Sequence, residues 1–141
     1  MVLGDVGFSR GRHYWEVSIE KYEGNPDPAF GVALENVAKD VILGRDERAW
    51  SVYVDSNRSW FQHNNEHLFR SEGGIEAGST VGLLLDLDEN TLTFYCNGEK
   101  RGPVAFPSLA NADVVYPAFS LNRNVSTILQ TGLEPSDVEA F

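Results

Sequence analysis

An antiparallel β-sandwich of two sheets, with no α-helical layer, is the fold class this sequence predicts. Three observations lead there: short stretches of period-two alternation, turn residues between them at 8–12-residue intervals, and no long amphipathic helical pattern. Thirteen Gly and six Pro in 141 residues punctuate the sequence often enough to favour many turns. At 141 residues and 42% hydrophobic content, one domain spanning 1–141 can bury roughly two thirds of its extended surface.

Trp15, Val17 and Ile19 alternate with Glu16, Ser18 and Glu20, so Tyr14–Glu20 reads as a half-buried strand. Further strands are expected at Ala29–Leu34, Ala49–Val54, Ser59–Gln62, Thr80–Asp86, Thr91–Asn97, Val114–Leu121 and Val125–Gln130. Val81-Gly82-Leu83-Leu84-Leu85 is apolar throughout, as a strand covered on both faces would be. Asn97-Gly98 is a two-residue hairpin signal, since both residues tolerate φ > 0. Asn36–Val41, with Asn36 as its cap, is the one stretch that reads as a helical turn.

Charge narrows the function classes. The formal net charge is −10 at pH 7, so neither a phosphate backbone nor an anionic bilayer is an expected partner. No apolar run approaches the ~20 residues that span a bilayer as a helix. Cys96 is the only cysteine, and a protein without an intrachain disulfide is expected in a reducing compartment, the cytoplasm.

Three catalytic patterns match in letters but not in context. Gly7-Phe8-Ser9-Arg10-Gly11 fits G-x-S-x-G, yet runs into a strand instead of the helix a nucleophile elbow requires. His63-Asn64-Asn65-Glu66-His67 fits H-x-x-E-H, which needs both histidines on one helical face; an Asn-Asn pair favours a loop with solvated histidines. Asp86-Leu87-Asp88-Glu89-Asn90 opens like a calcium loop, but Thr91 and Asn97 stand where Gly and Glu are needed, so a hairpin turn accounts for the acids. No cofactor or metal follows. A hydrolase, zinc-dependent through His63, Glu66 and His67 or acting on glycans, stays as an alternative reading, as does a scaffold domain with no pocket of its own.

Recognition is expected on loops, where a sandwich presents its binding groups. Two loops each carry an Asn-Arg pair, Asn57-Arg58 and Asn122-Arg123, with Ser59 and Asn124 beside them. Arg offers a planar fork of donors suited to carboxylates or carbonyls. Trp60 and Phe61 are adjacent, so one faces the core and the other an outer surface. The Pro-stiffened loop from Tyr22 to Pro28, with Asp27, is placed to wall a pocket.

The motifs Trp15-Glu16-Val17, Gly31-Val32-Ala33, Leu85-Asp86 to Tyr95 and Tyr116-Pro117-Ala118-Phe119-Ser120-Leu121 resemble the SPRY domain over nearly the whole sequence. The stretches 25–33, 53–61 and 120–125 are similar to one branch, the neuronal tripartite-motif E3 ubiquitin ligases, in which SPRY follows RING, B-boxes, a coiled coil and a fibronectin type III domain. This resemblance implies a concanavalin-like, jelly-roll sandwich that binds a protein or peptide and performs no catalysis, ubiquitin transfer belonging to the RING. It implies a partner surface on Asn57, Arg58, Ser59 and Trp60 and on Asn122, Arg123 and Asn124. It also implies a monomeric domain within a coiled-coil dimer; the sequence departs from the family pattern in that most or all of the PRY segment before Trp15-Glu16-Val17 is lacking, as expected of an excised C-terminal domain.

Overall fold

The computed structural model describes residues 2–22, 28–121 and 125–133. Its strands are β1 (Val2–Leu3), β2 (Arg12–Tyr22), β3 (Ala29–Ala33), β4 (Ala49–Val54), β5 (Arg58–His63), β6 (Glu66–Glu72), β7 (Thr80–Asp86), β8 (Thr91–Cys96), β9 (Glu99–Ala105), β10 (Tyr116–Ser120) and β11 (Val125–Leu133). They form a six-stranded sheet, β1-β10-β3-β4-β5-β6, and a five-stranded sheet, β11-β2-β7-β8-β9. Every pairing is antiparallel.

The core lies between the sheets. Trp15, Val17 and Ile19 on β2, Val81, Leu83 and Leu85 on β7, and Leu92 and Phe94 on β8 meet Phe30, Val32, Val52, Val54 and Phe61 of the other sheet. Each of these residues contributes roughly 1.5–3 kcal/mol by leaving water. Leu84 points the other way, under Tyr14 and Tyr95, so the β7 run is covered on both faces. The expected hairpin at Asn97-Gly98 forms with φ of 51° and 83°. The acids at its neighbour act as turn caps: Asp86 Oδ1 accepts from the backbone N–H of Asp88 and of Glu89.

Residues 36–41 are turns and bends rather than helix. Tertiary packing overrides the local signal, because the segment 34–48 spreads over the outer face of the six-stranded sheet. Val37 and Leu43 bury there against Ala29, Ala33, Ala49 and Ala118, a floor of small residues. Leu43 is fixed at both backbone groups, its N–H donating to Ser120 Oγ and its carbonyl accepting from Ser51 Oγ. The strands β6 and β9 also depart from expectation. Their charges, and the Gly102-Pro103 pair on β9, read as loop, but both are sheet edges where charges and Pro are tolerated.

Arg101 closes the side of the sandwich where those two edges meet. Its Nη1 donates to Ser59 Oγ and to the Gly73 carbonyl, both at 3.1 Å, while its guanidinium lies over Phe94. The cross-strand fit elsewhere is just as close: a Cβ at Gly31 would fall 2.0 Å from the Trp50 carbonyl oxygen and 2.6 Å from Ser51 Cα. Backbone atoms, unlike the tip of a flexible residue, have nowhere to step aside. Gly31→Ala is therefore expected to lose more than about 2 kcal/mol of stability, read from the midpoint of denaturant unfolding.

Candidate functional site

The turn between β4 and β5 is built around one carboxylate. Asp55 Oδ1 accepts from the backbone N–H of Asn57 at 2.8 Å and of Arg58 at 3.0 Å, and Oδ2 accepts from the Tyr53 hydroxyl at 3.1 Å. Such local bonds to the backbone are why Asp favours turns. Burial alone raises the Asp55 pKa, but the two backbone donors, the Tyr53 hydroxyl and the Arg58 charge outweigh it and hold it below the usual aspartate value. The turn is also tied to the segment that follows β6, through Gly73 N–H to the Asn57 carbonyl and Ile75 N–H to the Asp55 carbonyl. Gly74 permits this approach, since a Cβ there would sit 1.7 Å from the Asp55 oxygen.

Alternation along β5 then sorts the residues by face. Phe61 is 1% exposed in the core, and Trp60 takes the outer face. Register places Tyr53 opposite Trp60, and their rings stack at 4.4 Å; His67 of β6 stacks on the other side at 4.7 Å. Along the strand, the Trp60 indole N–H donates to Gln62 Oε1, and the Arg58 guanidinium lies 5.1 Å from the Trp60 ring centre. Trp60 thus has four residues against it and is still only half-buried. Arg58 Nε stands 3.3 Å from Asp55 Oδ2, an ion pair off the line of a hydrogen bond, with its side chain 44% exposed.

Of the residues the sequence singles out, Asn57, Arg58 and Trp60 meet on this surface. Ser59 does not: it is 2% exposed, faces inward and accepts from Arg101, so it supports the edge. Asp27, Asn122, Arg123 and Asn124 lie outside the described residues. The strands that lead to them are described. Ser120, Ala29, Tyr53 and Trp60 form one row of register partners across β10, β3, β4 and β5, so Pro28, Asp55 and Leu121 leave the same end of the same sheet. Asp55, Tyr53 and Gln62 were missed by sequence reasoning, and His67 was singled out only for its zinc-motif spacing. The Asp-x-Asn spacing held a turn signal, whereas the aromatic row needed the strand register.

The H-x-x-E-H letters form a hairpin, neither a loop nor a helix, in which His67 is exposed as expected and His63 is not. Asn64 and Asn65 take φ of 49° and 60°, the left-handed pair of a tight turn. His63 pairs with Glu66 and Gln62 with His67, which sends the two imidazoles to opposite faces. His63 is half-buried on Trp50, with Nδ1 at the Ala49 carbonyl and Nε2 at Ser108 Oγ. Among the described residues no group of three His, Cys, Asp or Glu is arranged to hold a metal ion. Ser9 of the G-x-S-x-G stretch follows Phe8, which bridges Val115 by paired backbone hydrogen bonds, so no nucleophile elbow forms.

A family model for the SPRY domain matches residues 12–134. The protein belongs to the SPRY domain family. SPRY domains are protein-interaction folds. This one is 49% identical over its full length to the E3 ubiquitin-protein ligase TRIM9 of Drosophila melanogaster, of which it spans 19%. Its fold is similar to that of the TRIM65 PSpry domain, with TM-score 0.70, 24% identity and coverage of 94% of this protein and 68% of that one. It is also similar to the SPRY domain of human HERC1, with TM-score 0.67, 20% identity and coverage of 92% and 79%.

The Asp55 turn has a measurable stability. Asp55→Ala is expected to cost about 1.5–3 kcal/mol, the range for hydrogen bonds to a charged group, while Asp55→Asn keeps the Oδ1 acceptor and loses less. A lowered folded-state pKa gives a contribution that is complete above the ordinary value of 3.8 and drains away as pH falls through the folded value. Asp55→Asn should therefore remove part of the decline in stability below that pH, seen by comparing acid unfolding of the two proteins.

Proposed function

We propose that this SPRY domain is the substrate-recognition module of a tripartite-motif ubiquitin ligase. It grips a peptide, or a loop of a folded partner, at the end of the six-stranded sheet that carries Asn57, Arg58 and Trp60, with Asp27, Asn122, Arg123 and Asn124 proposed as further contacts because β3 and β10 join their segments at that same end. The observation that carries this reading is the held guanidinium of Arg58: it is oriented by Asp55 and by Trp60 yet stays solvent-accessible. Arg and Trp held rigid before binding lose little entropy on contact, which is what makes such residues interface anchors. The likeness to fly TRIM9 supports the ligase setting, and ubiquitin transfer would belong to other parts of the longer protein. A coiled-coil dimer of that protein, and a reducing, cytoplasmic location, complete the proposal. Cys96 suits the latter: burial pushes its thiol pKa up and keeps it in the unreactive form.

The test is selection of peptides from a displayed random library on the purified domain. Binding of the selected peptides should fall by at least about tenfold, roughly 1.4 kcal/mol, in the double variant Arg58→Ala with Arg123→Ala, at an almost unchanged melting temperature. Undiminished binding removes both arginines from the site.

A further inference from the structure

We propose that the Arg58 site anchors an uncharged carbonyl of its partner, from the peptide backbone or from the amide of Asn or Gln, and discriminates against a carboxylate at the same point. The inference rests on the reading of this surface as the partner site and names the chemistry it selects.

Arg58 has its positive charge but not its donors committed. Nε faces Asp55 Oδ2 at 3.3 Å, whereas the terminal nitrogens hydrogen-bond to no other described residue. A carboxylate arriving there meets a fork whose charge Asp55 has already balanced. It also approaches Glu72, the register partner of Arg58 on β6, whose own cation is Arg70 at 3.7 Å. The whole protein adds a field of net −10, which lowers the local concentration of anions. A carbonyl suffers none of these repulsions and needs only the N–H groups.

The neighbours fit the same ligand. Asn57 is exposed beside the fork and offers an amide that can donate and accept. The Trp60 ring lies 5.1 Å from the Arg58 guanidinium and stacks on the exposed His67, an apolar rest for the segment carrying the carbonyl. A site built for an anion would leave Arg58 uncompensated. Here a carboxylate from the domain itself occupies that role, and it cannot be displaced without releasing the backbone N–H groups of Asn57 and Arg58.

Synthetic peptides from the library selection, made in pairs that differ only at the anchor as Asn against Asp or Gln against Glu, decide the matter by calorimetry. The amide member should bind about tenfold more tightly or better, a difference of roughly 1.4 kcal/mol, and Arg58→Ala should erase the preference. Asp55→Asn, which keeps the cap but unbalances Arg58, should shift the preference toward the acidic member. Salt gives a reading that needs no variant: between about 50 and 500 mM, screening should narrow the gap between the two members. Tighter binding of the acidic member, still dependent on Arg58, overturns this inference and leaves the site standing. Selected peptides indifferent to Arg58→Ala and Trp60→Ala overturn the site itself.

Discussion

Strand β5 must send Phe61 inward and Trp60 outward, and nearly every feature of the surface follows from that alternation. Phe61 belongs to the core that joins the two sheets. With Phe61 fixed inside, Trp60 has no choice but the outer face, opposite Tyr53 on one neighbour and next to His67 on the other. A slip of one residue in the pairing would reverse both aromatics at once. The energy of core burial thus sets the geometry of a surface that contributes little to the core.

The outer face of the six-stranded sheet is divided by residue size. Where β10, β3 and β4 present Ala118, Ala29, Ala33 and Ala49, the long 34–48 segment lies flat and is buried. Beyond that floor the ring row rises toward solvent, from the buried Tyr53 through the half-buried Trp60 to the exposed His67. Asp55 completes the arrangement: one carboxylate shapes the turn, holds the Tyr53 hydroxyl and orients Arg58. A single ionised group with four contacts to three residues links the turn conformation to the donor geometry.

How far the sequence could be read depended on the range of the determining contact. Alternation in β2 and the left-handed pair at Asn97-Gly98 are local properties, and both were legible. The β6 and β9 edges were not, because edge strands need charges and tolerate Pro, residues that elsewhere mark loops. The 36–41 stretch carried a local helix signal that lost to burial of Val37 and Leu43 on a distant floor. Asn57, Arg58 and Trp60 could be named from residue type. The inward turn of Ser59 and the Tyr53–Trp60–His67 row required the register of three strands, which no single window contains. The His63 and His67 pair shows the same limit: a spacing suited to a helix meant nothing once the backbone turned back at Asn64-Asn65.

The central claim is that partners dock on the end of the sheet organised by Trp60. Its indole N–H, bonded to Gln62, gives a resolved resonance in the amide spectrum of the isotope-labelled domain. Titration with a selected peptide is predicted to move that resonance together with the backbone signals of Asn57, Arg58 and His67. Shifts confined to the outer face of the five-stranded sheet, around Tyr14 and Tyr95, or to the 34–48 segment would contradict the account.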